Sequence, residues 1–384
     1  MKKQLFLLAV GLFLVSAVAF GQGKFSGYMF GDYYFNVARD ASFTNAGVAP
    51  AAAASSASAP GGTSMQAFQF RRIYFAYDND ISEMFTTRFR LEADQPATLT
   101  GTGGDELAGG KTATFVKDAY LTWKNVFSGS NLTFGIQPTP AYDISETAWG
   151  YRFLEKTIMD LRGIVSSRDL GISLRGNLIG NGMVNYWALI GNDNGNSPEN
   201  NKYKRYYFNV QIKPVTNLMA TVYVDYKDAA DKPNLAHPPV LVSNSTLTEA
   251  VFINYAVPFT YNFGFEAFMN SLSNGYAATG ATTLSSKNAL GFTVFGAYNL
   301  MADLSIVARY DSYDPNTGSD YAAKGDSRNY IIGGLSWKAD KNVSISPNIL
   351  YETYETPVNA ATGVKGTAID ASVTARLTFY YIFL

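Results

Sequence analysis

The chain of 384 residues contains no cysteine and a single histidine, His237. The first absence removes disulfides and thiolate metal sites. The second leaves one imidazole for acid–base work, in Ala236-His237-Pro238-Pro239, where the prolines keep it off a strand. A Ser-His-acid mechanism needs that imidazole oriented on a rigid element, so a barrel hydrolase using His237 is an alternative and not the main reading. No His/Cys cluster with zinc spacing, phosphate-cradling glycine motif or nucleophile elbow occurs, and no metal or cofactor is expected. Asp311 to Gly318, DSYDPNTG, is oxygen-rich but departs from EF-hand spacing and lacks the closing Glu. It reads as a polar loop tip.

Charge is also scarce. Asp, Glu, Lys and Arg make up 16% of the chain, against roughly 25% in an average soluble domain. The formal net charge of −1 argues against a nucleic-acid partner. Beyond the first 21 residues there is no run of about 18 apolar residues, which excludes helical membrane spans.

The start of the chain has the form of a secretory signal peptide: basic Met1-Lys2-Lys3, an apolar run from Leu5 to Val15, and small-residue cleavage sites around Ala17-Val18-Ala19. A retained anchor helix is the rival reading, but the run is short for a bilayer. The expected organisation is a signal segment over 1–21 and one domain over 22–384, with no second domain.

Aromatic residues are plentiful: 15% of the chain, with 26 Tyr and 26 Phe. An exported, aromatic-rich, charge-poor chain without long apolar runs suits a transmembrane β-barrel, which spreads its hydrophobicity over alternate residues of many strands. Phe85 to Asp94, FTTRFRLEAD, puts Phe85, Thr87, Phe89, Leu91 and Ala93 on one face and Arg88, Arg90, Glu92 and Asp94 on the other. The same alternation recurs at 131–138, 169–178, 205–212, 218–226 and 369–383.

Strand cores are expected at 24–37, 67–78, 84–94, 113–124, 130–138, 166–178, 182–191, 203–213, 217–227, 248–258, 260–271, 287–299, 302–312, 327–339, 341–353 and 367–383. The connections then alternate between short and long, the pattern of an outer-membrane barrel with short periplasmic turns and long extracellular loops. The fold class is all-β: an antiparallel transmembrane barrel of sixteen strands. Its first long loop contains the low-complexity tract 46–62, AGVAPAAAASSASAPGG, with nothing to bury.

Charge on the lipid side of a barrel costs roughly 2–4 kcal/mol near the midplane, so the charged faces must look inward. Arg88, Arg90, Glu92, Asp94, Asp118, Arg175, Arg205, Asp225 and Arg376 are therefore candidate pore-lining residues, with Arg309, Glu266 and Asp370 beside them. Either they line a water-filled channel or they neutralise one another in a filled lumen. Sixteen strands leave a lumen too wide for side chains to close, which favours the channel. Tyr33, Tyr34, Trp123, Trp187, Trp337, Tyr351 and Phe383 suit aromatic girdles at the membrane interfaces.

One connection stands apart. Pro138 to Arg168, PTPAYDISETAWGYRFLEKTIMDLRGIVSSR, is long, charged and aromatic, and a loop of this length is usually functional or disordered. Leu154, Ile158 and Leu161 are spaced for a helix that Gly163 would stop, and Asp143 with Glu146 resembles a capping box. The expectation is a constriction loop folded into the lumen, with Tyr142, Asp143, Glu146, Trp149, Arg152, Glu155 and Lys156 setting the width and charge of the pore.

The chain resembles the phosphate-selective porin (O and P type) family over roughly Phe68 to Tyr226. The resemblance rests on Phe70-Arg71-Arg72-Ile73-Tyr74, Lys117-Asp118-Ala119-Tyr120-Leu121, Phe134-Gly135-Ile136-Gln137-Pro138 and Ser167-Arg168-Asp169-Leu170-Gly171. It implies a sixteen-stranded barrel, a homotrimer, and a third long loop folded inward. Gln137 stands where the related pattern often has a basic residue, and the loop mixes acids with bases. The expected function is that of an outer-membrane porin giving passive diffusion, with outer-membrane lipid and small hydrophilic solutes or ions as partners. An anion- or phosphate-selective channel and a structural or adhesive surface barrel are the alternatives.

Overall fold

A period-two alternation of apolar and polar side chains is satisfied by extended chain with two unlike faces. In the computed structural model sixteen segments take that form. The structure describes residues 23–41, 61–94, 114–179, 181–233, 240–276, 283–318, 324–359 and 361–384. The signal segment, the tract 46–62 up to residue 60, and His237 lie outside them.

The strands are β1 (Lys24–Ala38), β2 (Gln66–Asp80), β3 (Phe85–Ala93), β4 (Thr114–Phe127), β5 (Ser130–Pro138), β6 (Arg168–Asn177), β7 (Val184–Gly191) and β8 (Arg205–Val215). They continue as β9 (Leu218–Pro233), β10 (Leu241–Val257), β11 (Tyr261–Tyr276), β12 (Ser285–Asn299), β13 (Leu304–Asp314), β14 (Arg328–Asp340), β15 (Val343–Tyr354) and β16 (Ser372–Ile382). Each pairs antiparallel with its sequence neighbours, and β1 pairs with β16, so the barrel closes without a free edge. All sixteen expected strands are present, and short turns alternate with long loops around the ring.

Two boundaries differ from expectation. The β9–β10 hairpin runs past 227 and begins again at Leu241; its outer part is polar on both faces, so no hydrophobic period marked it. The last strand begins at Ser372 because β15 supplies a partner only up to Glu352, opposite Ser372. Asp370 therefore lies before the strand, its backbone N–H donating to Asp40 Oδ2 at 2.8 Å, and does not project from an inner face.

The outward face is apolar. Val222, Val251, Ile253, Phe263, Phe265, Val294, Ile331 and Ile349 are exposed at mid-height. Trp123, Tyr255, Tyr298, Trp337 and Tyr381 lie towards the turn side, and Tyr206, Tyr226, Tyr310 and Tyr351 towards the loop side. An apolar band between two aromatic girdles suits a hydrocarbon layer with two wet boundaries. Tyr34 and Trp187 do not belong to the girdles: both are buried inside the barrel.

The third long connection, 139–167, folds into the lumen. It holds two short helices, α1 (Asp143–Trp149) and α2 (Ile158–Leu161). Leu154 falls between them, so the expected single helix over 154–161 is divided. The capping box does not form either. Tyr142 is the N-cap without a side-chain cap, and Glu146 accepts from Arg152 Nε instead, at 2.9 Å. Gly163 does end α2. At φ +66° it lets Gly163 N–H reach Asp160 O at 3.2 Å and Ile164 N–H reach Met159 O at 3.0 Å, closing a Schellman motif.

Candidate constriction site

The loop is held by two kinds of contact. Apolar anchors come first: Tyr142, Ile158, Met159 and Val165 pack against Leu189, Tyr207, Tyr223 and Phe268 of the wall. Trp149, Phe153 and Leu154 pack against Phe30, Tyr74, Phe252, Phe295 and Val307. Guanidinium groups then tie down its backbone. Arg71 donates to Leu154 O at 3.1 Å and to Phe153 O, Arg376 to Leu154 O at 2.6 Å, and Arg309 to Lys156 O. Arg162 pairs with Glu352 at 3.0 Å, and Ser145 Oγ donates to Glu266 Oε1 at 2.8 Å.

Within the loop, Arg152 lies 2.9 Å from Glu146 and 3.6 Å from Asp160, and Lys156 lies 3.7 Å from Asp160. Burial alone would push the Asp160 carboxyl up, but Lys156 and Arg152 outweigh it and hold the group below the usual carboxylate range. Burial would likewise depress Arg152, and Glu146 and Asp160 reverse that. The loop thus carries its own neutralised charge network.

Two bulges shape the opposite wall. In the β1–β2 pairing, Phe30 faces Arg72 and Gly31 faces Phe70, which leaves Arg71 as the extra residue. In the β3–β4 pairing, Arg90 faces Asp118 and Leu91 faces Val116, which leaves Lys117 extra. A bulge bends the strand and re-aims a side chain. Consecutive charged residues, Arg71-Arg72 and Lys117-Asp118, therefore all turn inward. Arg71 pairs with Asp32 at 2.6 Å, Arg72 with Glu92 at 2.8 Å and with Asp94 at 3.0 Å, and Lys117 with Glu92 at 3.0 Å. Gly31 permits the first bulge, since a Cβ there would sit 2.4 Å from Gln69 O.

Between this wall and the loop a recess of about 370 Å³ remains, bounded by β3 to β7 and Asp143. Asp118 sits at its centre, 2.7 Å from Arg90, 2.5 Å from Arg168 and 3.5 Å from Arg88. Arg175 lies over the Trp187 ring, 4.5 Å from its centroid, with no carboxylate in ion-pair range among the described residues. Four arginines thus border the recess against Asp118 and Asp143. Gln137 is buried below it, accepting from Ser173 Oγ at 2.5 Å and donating to Gly171 O at 3.0 Å.

The sequence-derived candidates separate into two groups. Arg88, Arg90, Asp118 and Arg175 come together at the recess with Asp143, while Glu92 and Asp94 lie on its flank with Arg72. Arg205, Asp225 and Arg376 face inward, but they are buried. Arg205 pairs with Asp225 at 2.7 Å and Asp193 at 2.8 Å, a closed ion-pair cluster on the wall. Tyr142, Trp149 and Glu155 are buried as well and serve the loop itself: Tyr142 Oη donates to Val165 O at 3.1 Å, Trp149 Nε1 to Glu155 O at 3.0 Å, and Tyr330 Oη to Glu155 Oε2 at 3.1 Å. None of these six borders the recess. A strand pattern gives direction, and here the loop covers much of the inner wall. Arg71, Lys117 and Arg168 were missing from the candidates. Adjacent charges inside an otherwise alternating strand were the available signal, because a regular strand would drive one of each pair into lipid.

No family model and no curated protein matches the chain. Solved structures do. The outer membrane channel DcaP of Acinetobacter baumannii aligns with TM-score 0.60 at 12% identity, covering 94% of this chain and 97% of that one. The fold is that of an outer-membrane porin. Salmonella typhi OmpF, in a complex with daunomycin, aligns with TM-score 0.59 at 13% identity over 94% and 97% of the two chains. The anion-selective porin from Comamonas acidovorans gives 0.59 at 10% over 94% and 99%. The barrel fold is thus common ground, and what passes through it depends on this chain's own residues.

Proposed function

We propose that the protein is an outer-membrane porin of a Gram-negative-type bacterium, through which small hydrophilic solutes or ions diffuse passively. The observation that carries this reading is the recess between the lumen loop and the β3–β7 wall. It is a polar gap bordered by charge inside a closed barrel whose outer face is apolar. The pore-lining set is Arg88, Arg90, Asp118, Asp143, Arg168 and Arg175. No step of the reading calls for catalysis.

A second reading has its own support. The recess holds four arginines against two carboxylates, although the whole chain is close to neutral. Local positive excess in a narrow passage favours anions, and the Phe70–Tyr74 and Lys117–Leu121 patterns, which resemble the phosphate-selective porins, both fall at the bulges that build this wall. Moderate anion preference is the expected result. Homotrimer formation accords with the same resemblance.

Reconstitution of the purified protein into planar bilayers tests these readings. Stepwise conductance is expected, with a reversal potential displaced towards anions under a salt gradient, and a native mass in detergent of three copies. Absence of conductance in correctly folded protein would reject the porin reading, and cation preference would reject the anion reading.

A further inference from the structure

A second space lies beneath the lumen loop, on the turn side of the barrel, with a volume of about 490 Å³. Its roof is formed by Trp149, Gly150, Tyr151 and Phe153 of the loop, and its walls are the turn-side ends of β10 to β15. The aromatic rings of this roof are not isolated. Trp149 and Tyr151 have centroids 5.4 Å apart, and Tyr151 and Phe153 5.8 Å. The series continues onto the wall through Phe153 and Tyr380 at 5.1 Å, Tyr380 and Tyr28 at 5.9 Å, and Tyr28 and Tyr74 at 4.7 Å. It ends where Arg90, of the arginine recess, lies 5.0 Å over the Tyr74 ring. Six rings thus form an unbroken arc from the turn-side chamber to the constriction.

Within this arc Trp149, Phe153 and Tyr74 are buried, while Tyr28, Tyr151 and Tyr380 are half-buried. These three tyrosines pack against the buried cluster yet keep part of their ring surface uncovered, while Ser336, Ser346, Asn348 and Thr378 at other inward positions are buried. Opposite the roof the chamber presents Asn299, Ser305, Ser336 and Ser344, and its two charged residues, Lys338 and Asp303, are of opposite sign. Ring faces on one side, amide and hydroxyl groups on the other, and no net charge define a ligand chemistry. Such a ligand has apolar C–H or ring faces, a periphery of hydroxyls, and no charge.

We propose that the turn-side chamber and its aromatic arc are a binding track for uncharged hydroxylated ring solutes, that is, sugars. The sugar stacks on Tyr151 in the chamber, where its hydroxyls reach the Asn and Ser side chains opposite, and passes by way of Phe153 to Tyr380 and Tyr28. This builds on the porin reading and adds a selectivity that the arginine recess alone does not supply. Phe153 links Tyr151 to Tyr380 at 5.8 and 5.1 Å, and Tyr380 and Tyr28 lie 5.9 Å apart, so a solute passes along a continuous series of rings.

The test combines current blocking in planar bilayers with isothermal titration of the full-length protein in detergent. Maltotriose is the probe, sorbitol the acyclic control and benzoate the charged-ring control. At high KCl, where the arginine recess is screened, maltotriose is expected to block the current at a concentration at least about tenfold below that needed by sorbitol. Tyr151→Ala and Tyr380→Ala should each raise the half-blocking concentration about fivefold. Tyr151→Phe and Tyr380→Phe should leave it within about twofold, with sugar-free conductance kept in all four. Equal block by sorbitol, unchanged block in both alanine variants, or block by benzoate but not by maltotriose would overturn the proposal. Titration keeps the two readings separate: a silent bilayer with sugar heat still present counts against the porin alone, and conductance without sugar heat counts against the track alone.

Discussion

Arg175 differs from the other arginines of the recess in having a tryptophan ring, and no carboxylate, for its neighbour. A guanidinium over an indole is attracted by the ring quadrupole and keeps its charge unneutralised. Arg90 and Arg168, by contrast, share Asp118. Arg175→Ala should therefore move the reversal potential in a salt gradient towards cations more than Arg90→Ala does, without loss of folded protein. Equal shifts would mean that the recess acts as one averaged charge. A second residue answers to pH. Asp326, in the loop before β14, has its carboxyl pushed up to about 6 by burial and by Asp314 and Glu355. A raised carboxyl favours the folded state while it is protonated, and that contribution fades as pH rises from about 4 through about 6. Lowering the pH from 7 to 5 should raise the thermal unfolding midpoint, and Asp326→Asn should give the gain already at pH 7. After discount for partial exposure the effect is on the order of 1 kcal/mol.

At the scale of the element, the lumen loop is the part that turns a wide barrel into a narrow one. Its apolar anchors, Ile158, Met159 and Leu154, are fully buried, and burying such side chains contributes about 1.5–3 kcal/mol each. Arg71, Arg309 and Arg376 fix its backbone from β2, β13 and β16. The strand ladders do not depend on it, because every strand pairs with both neighbours around the ring. Deleting Tyr142 to Arg162 should accordingly raise single-channel conductance several-fold while the barrel still folds, as read from heat-dependent gel mobility. Unchanged conductance would take the loop out of the permeation path. The mid-loop helix boundaries were hard to read because the apolar spacing of Leu154, Ile158 and Leu161 looks continuous in one dimension, while the helix forms only from Ile158, after Thr157 as its N-cap.

At the scale of the whole molecule, the barrel separates two environments by the parity of its strands. Outward positions meet an apolar medium between aromatic girdles, and inward positions meet either the loop or water. The interior is less uniform than a charged pipe. The β3–β7 side carries the arginine recess, the β7–β13 side carries hydrophobic contacts to the loop, and the turn side carries the aromatic arc. A solute crossing the barrel passes through chemically different stretches, so conductance and selectivity need not reside in the same residues.

The amino-acid sequence by itself determined the strand count, the alternation of turns and loops, and the inward face of the regular stretches of strand. All three follow from a period of two and from the cost of charge in lipid, and both are local to each strand. It also marked the loop from 138 to 168 as unlike the other connections. Tertiary structure decided which inward side chains meet open space. Arg205, Asp225 and Arg376 have the same alternation as Arg88 and Arg90, yet Arg376 is tied to the loop and Arg205 and Asp225 to each other and Asp193, while Arg88 and Arg90 stay at the recess. It also decided the fate of Arg71 and Lys117, since a bulge is set by the pairing of two strands and not by either alone. Cover and register are relations between segments distant in sequence, and no periodicity within one segment encodes them.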